Sequence, residues 1–157
     1  MDKTKLSIPE EFRPHVTVAT VVENNGFFLM VEEESGGEIV LNQPAGHLEP
    51  NESLIDCAKR EVLEETRWEV EIVSLLGINL YHSKKNNVTY HRTTFVGKPI
   101  KEQVELSLDD GIVNAIWMSI EDIESLSKRH RSPMVMQSIK DYVSQKHYPL
   151  SIFSKSD

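Results

Sequence analysis

The stretch GHLEPNESLIDCAKREVLEETRW, residues 46–68, decides the fold because it joins an irregular loop to an acidic amphipathic helix. Pro and Gly in PAGHLEP (44–50) favour a loop. Asn51 is a good N-cap residue and Glu52 suits a first turn, which predicts a helix over about 52–66. Apolar residues recur at helical spacing and predict an inward-facing stripe: Leu54, Ile55, Ala58 and Val62.

Three acids of this helix, Glu61, Glu64 and Glu65, follow the basic pair Lys59-Arg60. At about 100° per residue they span an arc of only about 100° beside the apolar stripe, so they converge near the edge of the core. Acids at this spacing usually form a solvated face that pairs with nearby Lys or Arg. Convergent carboxylates also suit a hard divalent cation. The spacing alone leaves both interpretations open.

The flanking sequence predicts a sheet around this helix. HVTVATVV (15–22) and GFFLMVEE (26–33) are joined through Asn25-Gly26, a strong hairpin signal. Further strands are predicted at EIVLNQ (38–43), VEIVSLLGINLYH (70–82), VTYHRTTFVGK (88–98) and IVNAIWM (112–118). Two closing helices are predicted, one with Ser119 and Asp122 as a capping box and one with Ser132 as cap and Pro133 at its first position. These elements predict one α+β domain over 1–157 with a mixed, mostly antiparallel sheet.

Composition limits the function. The chain has 157 residues and a formal net charge of -8, which argues against binding a nucleic-acid polymer through its phosphates. The single cysteine, Cys57, permits no internal disulfide, and MDKTKLSIPEEF (1–12) has neither a signal core nor a membrane-spanning run. We therefore expect a cytoplasmic protein without a membrane partner. The six histidines show no paired zinc spacing, and we assign them no zinc site.

The acids belong to a longer pattern. Gly46, Glu52, Arg60-Glu61 and Glu64-Glu65 are spaced as in the Nudix box, G-x5-E-x7-R-E-U-x-E-E-x-G-U, which this stretch resembles. Trp68 fills the last apolar position, but Arg67 replaces the second glycine. A non-Gly residue in a left-handed conformation just past a helix costs about 1 kcal/mol. We expect lower stability or a different helix end, with the acids still in register.

The resemblance implies a Nudix-type α/β/α sandwich and a hydrolase of diphosphate linkages that uses Mg²⁺, with Mn²⁺ as the alternative. It implies that Glu61, Glu64 and Glu65 hold the metal with the Gly46 carbonyl, and that Arg60 orients a glutamate. Glu52 is expected to be structural. The general base is either Glu61 or a carboxylate outside the box, where the candidates are Asp109 and Asp110, followed by Glu102 and Glu105.

The segments LNQPAGHLE (41–49), RSPMVMQSIKDY (131–142) and YPL (148–150) resemble the NudJ-type phosphatase branch of the family. That branch implies nucleoside di- and triphosphates or hydroxymethylpyrimidine pyrophosphate as substrate and orthophosphate as product. The candidate substrate contacts are Arg92, Tyr90, Asn42, Gln43 and His47, with Tyr81 and Arg131 also considered. For each the alternative is a structural role: a surface charge, a core aromatic or a loop hydrogen bond. Cys57 is expected to be a packed side chain.

Two classes of function stay open at this point. One is a Nudix hydrolase of small phosphate compounds, with modified nucleotides, ADP-ribose and dinucleoside polyphosphates as other substrate classes. The other is a non-catalytic Nudix domain that senses a nucleotide. All four box glutamates and the arginine remain, which favours the enzyme. The oligomeric state, monomer or homodimer, is left open.

Overall fold

The computed structural model describes residues 11–154, so most of the amino-terminal segment MDKTKLSIPEEF lies outside the described residues. The strands are β1 (His15–Asn24), β2 (Phe27–Ser35), β3 (Glu38–Asn42), β4 (Ala45–His47), β5 (Trp68–Ser83), β6 (Val88–Glu102) and β7 (Ile112–Met118). The helices are α1 (Leu54–Thr66), α2 (Ile120–Ser125) and α3 (Met134–Val143), with single 3-10 turns at Ser127–Arg129 and Leu150–Ile152. Between residues 11 and 154 no helix is long and apolar enough to cross a membrane.

The strands form one seven-stranded sheet along the path β3-β2-β1-β6-β5, with β4 paired to β1 and β7 paired to β2. Strands β1 and β6 run parallel, and the other pairs are antiparallel. Asn25 (φ 51°) and Gly26 (φ 83°) both adopt positive φ in the β1–β2 turn, as a two-residue hairpin requires. The predicted mixed, mostly antiparallel sheet is confirmed.

Helices cover both faces of the sheet. Alternate residues of β1 point to opposite sides, so this strand contributes to the core on each face. Val18 packs in a core with Val62 of α1, whereas Val21 packs in a second core with Val135 of α3. The predicted inward stripe of α1 is confirmed, since Ala58 and Val62 are fully buried. The architecture is therefore the α/β/α sandwich that the family resemblance implied.

The start of α1 differs from the prediction. Ser53 is the N-cap, and its hydroxyl accepts a hydrogen bond from the Asp56 N–H at 3.0 Å. Asn51 cannot cap the helix because its φ is +64°, whereas an N-cap residue has extended backbone angles. Glu52 consequently lies before the helix. The preceding loop was also incompletely predicted, since the short strand β4 forms within it by pairing with β1.

The cap of α2 follows the prediction, whereas the start of α3 differs from it by one residue. The Ser119 hydroxyl accepts a hydrogen bond from the Asp122 N–H. Pro133, expected at the first helical position, is instead the N-cap of α3, although the Ser132 hydroxyl does accept from the Met134 N–H. Arg67 is left-handed (φ 65°, ψ 6°), and its N–H donates to the Leu63 carbonyl at 2.8 Å. The side chain of Arg67 forms an ion pair with Glu102 at 3.0 Å. Helix α1 therefore ends as a glycine would end it.

Candidate active site

A cleft of about 660 Å³ opens beside β4. It collects residues from β1, β2, β3, β4, α1, β5, β6 and the segments that precede β7 and α3. The candidates from the sequence that line it are Asn42, Gly46, His47, Glu61, Glu65, Tyr81, Tyr90, Arg92, Asp109 and Arg131. Most of the predicted site residues thus share one cavity, although they come from segments far apart in the chain.

Gly46 has a steric role in this cleft. The carboxyl group of Glu61 lies directly against the Gly46 Cα, and a Cβ at that position would come within 2.1 Å of Glu61 Cδ. Real Cβ atoms do not approach other atoms so closely, so any larger residue would displace the Glu61 carboxyl. The glycine that opens the box is needed for close packing of strand β4 against helix α1.

Arg60 ties the loop to the acids of α1. Its Nε and Nη2 donate to the two carboxylate oxygens of Glu52 at 2.6 and 3.0 Å, a bidentate ion pair. Its Nη1 donates to Glu61 at 2.8 Å and to Glu64 at 3.1 Å. Hydrogen bonding from Arg60 lowers the pKa of Glu52 to about 2. Glu52 also accepts from the Glu49 N–H at 3.0 Å, as expected for a structural residue near the start of the helix.

Glu65 is the most deeply placed acid of the cleft. It is 6% exposed, and its carboxylate accepts a hydrogen bond from the Ala45 N–H of β4 at 3.1 Å. Burial raises its pKa to about 9, and the charges of Glu33, Glu61 and Asp109 contribute in the same direction. Burial likewise raises the pKa of Glu61, against the opposing effect of Arg60. The cleft therefore concentrates carboxylates whose negative charges oppose one another.

The donor type suits a hard divalent cation, because carboxylate oxygens are the ligands that such a cation prefers and its charge would relieve their mutual repulsion. The three predicted ligands are not gathered equally. Glu61 and Glu65 line the cleft. Glu64 does not line it; its side chain is 43% exposed and pairs with Arg60. In residues 11–154, as arranged here, no group of three or more His, Cys, Asp or Glu side chains could hold a metal ion.

The predicted loop carboxylates are separated by the structure. Asp109 lines the cleft, and its N–H donates to the Glu64 carbonyl at 2.9 Å, which docks the loop on α1. Asp110 is exposed, and its N–H donates to the Asp109 carboxylate at 2.9 Å. Of the weaker candidates, Glu102 pairs with Arg67 and Glu105 is exposed. We call Glu61, Glu65 and Asp109 the acidic set.

Basic residues also line the cleft, and we call Arg92, Arg131 and Lys85 the basic set. Arg92 is 8% exposed, and its Nη2 donates to the Gln43 carbonyl oxygen at 2.9 Å. Burial lowers its pKa to about 10, so it remains a cation at neutral pH. Arg131 pairs with Glu33 at 2.9 Å. The cleft is therefore lined by both acidic and basic side chains.

Aromatic side chains border the basic set. Tyr90 pairs with Tyr81 across β5 and β6 and with His15 across β1 and β6. The His15 and Tyr90 rings meet edge to face at 5.6 Å, and His15 Nδ1 lies 3.1 Å from His47 Nε2. Burial is the largest of the effects that lower the pKa of His47. Flat aromatic rings of this kind suit stacking on a heterocycle.

Sequence reasoning missed several residues of this cleft: Thr17, Glu33, Ser35, Glu49, Ser83, Lys85, Asn86, Ser132 and Met134. Glu33 and Lys85 are the most informative because they bring charge from two hairpins. Nothing in their local sequence marks them, since their position depends on strand pairing. Cys57 is buried, and burial raises its pKa to about 12, which agrees with a packed side chain and not a nucleophile.

The chain matches the family model of the NUDIX domain over residues 11–137. It belongs to the Nudix family. Phosphatase NudJ of Escherichia coli K12 is 36% identical over 146 residues, which cover 90% of this chain and 91% of that protein. A NUDIX hydrolase from Nitrosomonas europaea is 46% identical with a TM-score of 0.90, covering 92% of this chain and 98% of that one. The MutT protein from Methanosarcina mazei Go1, at 19% identity and a TM-score of 0.69, shows the fold alone.

These similarities confirm the family and fold expected from the box, despite Arg67. The protein is a Nudix hydrolase that acts on acid anhydrides in phosphorus-containing compounds. Nudix hydrolases act on small phosphate molecules and generally use divalent metals, which agrees with the carboxylates of the cleft. Between the two functional classes left open by the sequence, the similarities favour the enzyme over the non-catalytic sensor.

Proposed function

We propose that this Nudix hydrolase cleaves, with Mg²⁺ or Mn²⁺, a terminal diphosphate linkage of a small nucleotide or related pyrophosphate and releases orthophosphate. The observation that carries the proposal is the presence of the acidic and basic sets in one cleft. The similarity to Phosphatase NudJ of Escherichia coli supports a phosphatase outcome. Nucleoside di- and triphosphates and hydroxymethylpyrimidine pyrophosphate are the proposed substrates.

Glu61, Glu64 and Glu65 would hold the metal, with the Gly46 carbonyl as a further oxygen. When bound, the metal would neutralise phosphate charge and lower the pKa of a water molecule. Arg60 acts as a positioning residue in this proposal, because it bonds to Glu61 and Glu64 while Glu52 fixes it from the other side. Removing Arg60 would release two of the carboxylates.

The base that takes a proton from water is either Asp109 or Glu61 in this proposal. Asp109 lies in the same cleft as Glu61 and Glu65, and its charge raises the pKa of both. Asp110 instead supports Asp109 through its backbone N–H. Asp109 lines the cleft and could therefore reach a bound water, whereas Asp110 does not line it.

Arg92 is proposed to contact a substrate phosphate, and Tyr90 and His47 its heterocycle. Gln43 and Asn42 serve indirectly: Gln43 accepts from Arg92, and Asn42 donates to Glu33 at 3.3 Å. The aromatic rings favour a substrate with a base over simple pyrophosphate. In this proposal one cavity would hold the heterocycle, the phosphate and the metal.

The deciding experiment measures phosphate release with and without Mg²⁺ across nucleoside di- and triphosphates, hydroxymethylpyrimidine pyrophosphate, ADP-ribose and dinucleoside polyphosphates. Orthophosphate and pyrophosphate are scored separately. We expect Mg²⁺-dependent orthophosphate release from the first two groups. Pyrophosphate or nucleoside monophosphate without orthophosphate would move the attacked phosphorus and contradict the proposal.

The metal role is tested with Glu64→Gln, which keeps the shape of the side chain but removes its charge. Turnover should fall at least about tenfold with the fold intact. Glu121→Gln, which makes the same change on an exposed residue of α2, is the control and should turn over normally. Normal turnover in Glu64→Gln would remove Glu64 from the proposed ligands.

A further inference from the structure

Arg92 differs from every other arginine of the chain. The other five, Arg13, Arg60, Arg67, Arg129 and Arg131, each pair with a carboxylate in the described structure. Arg92 is the most buried of them, yet its side-chain hydrogen bond goes to the neutral amide of Gln43, and its buried Nε has no hydrogen-bond partner. Burying a cation without a counter-charge is costly, so a buried arginine is ordinarily paired.

The neutral partner is held in one orientation. Gln43 is 1% exposed, and its Nε2 donates to the Val135 carbonyl of α3 at 2.8 Å. Its other end must then present the carbonyl oxygen, which accepts from Arg92. A flipped amide would place oxygen against oxygen at Val135 and nitrogen against nitrogen at Arg92. Helix α3 therefore fixes an acceptor that holds Arg92 without cancelling its charge.

The surroundings leave that charge available to the cleft. Arg131 opposes Arg92 electrostatically, and Glu33 is the acid whose charge favours it. Glu33, however, is already paired with Arg131 at 2.9 Å and accepts from Asn42 at 3.3 Å. An anion that enters the cleft beside Arg92 would supply the missing counter-charge and relieve the repulsion between the two arginines.

We propose that Arg92, held by the uncharged Gln43 and assisted by Arg131, forms an anion subsite that binds a terminal phosphoryl group or orthophosphate without metal. The inference rests on the proposed function and deepens it by naming the group that is recognised. Since only 8% of Arg92 is exposed, a phosphate with three unsubstituted oxygens can approach it more closely than one that is esterified on two sides. Orthophosphate, the proposed product, should then compete with substrate.

The test measures binding of inorganic phosphate in EDTA by calorimetry. Gln43→Glu should weaken phosphate binding at least about tenfold, because the new carboxylate neutralises Arg92 from a buried position. Gln137→Glu makes the same change of net charge on the exposed face of α3 and should leave the affinity unchanged. A nucleoside monophosphate should bind in the same experiment, and a cyclic nucleotide, which has only a phosphodiester, should bind much more weakly.

A second measurement tests the subsite without the Gln43→Glu variant, in case that variant does not fold. In the wild-type protein in EDTA, the ¹⁵N signal of Arg92 Nε–H, assigned by its loss in Arg92→Lys, should shift on addition of phosphate. A stationary Arg92 signal, or equal phosphate affinity in folded Gln43→Glu and wild type, would overturn the subsite. Mg²⁺-dependent turnover without phosphate binding in EDTA would sink the subsite and keep the proposed function, whereas phosphate binding without turnover would do the reverse.

Discussion

The acidic and basic sets of the cleft are assembled in different ways. Glu61 and Glu65 lie four positions apart on one helix, so their proximity follows from helical geometry. Arg92, by contrast, is held by Gln43, which is 49 residues away in sequence, and Gln43 is held by Val135, 92 residues further on. The two helical acids could therefore be recognised from a short motif, whereas Asp109 and the basic set reach the cleft only through tertiary contacts.

The two sets also differ in electrostatic state. In the acidic set, burial raises the pKa values of Glu61 and Glu65, and neighbouring negative charges add to the effect. A bound cation would therefore stabilise the ionised acids. In the basic set, Arg92 keeps its charge and bonds to the neutral Gln43 instead of a carboxylate. A bound anion would therefore stabilise the buried cation. A metal-bound phosphate compound satisfies both requirements, which explains why the sets share one cleft.

The largest expected effect concerns the acidic set. Glu65→Gln should lower turnover at least about 100-fold if Glu65 binds the metal. It should also raise the stability of the metal-free protein at neutral pH, because an acid with its pKa raised from 4.5 to about 9 loses folding stability as pH rises through that interval. Turnover and thermal unfolding in EDTA at pH 5 and pH 8 measure both.

In that comparison the melting temperature of Glu65→Gln should exceed the wild-type value by more at pH 8 than at pH 5. Glu121→Gln should behave as wild type in both assays. A variant that loses turnover and stability together at pH 8 would show that Glu65 holds the fold, and the contrast between the sets would lose its basis.

The next effect concerns the basic set. Arg131→Gln should raise KM about three- to tenfold and change kcat less, since it removes a charge that assists phosphate binding on a residue that is partly exposed. Arg129→Gln is a matched control, because Arg129 also pairs with a β2 glutamate, Glu32, at 2.8 Å. Steady-state kinetics with a nucleoside triphosphate decide the matter. Equal KM values for the two variants would remove Arg131 from the basic set.

A smaller effect concerns the ion pair between Glu52 and Arg60, which positions the acids of α1. The pKa of Glu52 is lowered from 4.5 to about 2, so its pairing with Arg60 stabilises the fold above pH 4.5, and that stability is lost as pH falls toward 2. Glu52→Gln should be less stable than wild type at pH 7, and the difference should shrink by pH 3. Urea unfolding at the two pH values measures it, and a constant difference would contradict the assigned pairing.

The smallest effect concerns Arg67. Its left-handed conformation costs about 1 kcal/mol relative to glycine, and its half-buried pair with Glu102 returns about 0.5 kcal/mol. Arg67→Gly should therefore raise the melting temperature by roughly 1–2 °C. Glu102→Gln, which removes only the ion pair, should lower it slightly. A lower melting temperature for Arg67→Gly would mean that the side-chain contacts outweigh the backbone strain.

Two structural predictions from the sequence failed in the segment that leads into α1. Asn51 was expected to cap α1, but the loop places it at positive φ and gives the cap to Ser53. The segment 44–50 was expected to be irregular, yet pairing with β1 makes part of it β4. Pairing with β1 selects the strand, whereas at the start of α1 the bond from the Asp56 N–H to the Ser53 hydroxyl fixes the cap.

By itself the sequence determined the family, the mixed sheet and the position of the acids, because a hairpin turn, strand composition and helical spacing are local properties. Only the tertiary structure decided that Glu61, Glu65 and Asp109 line the cleft while Glu64 and Asp110 are not among its lining residues. It also decided that Arg92 is the one described arginine without a carboxylate. These outcomes depend on strand register and helix docking, which bring together residues that share no local pattern.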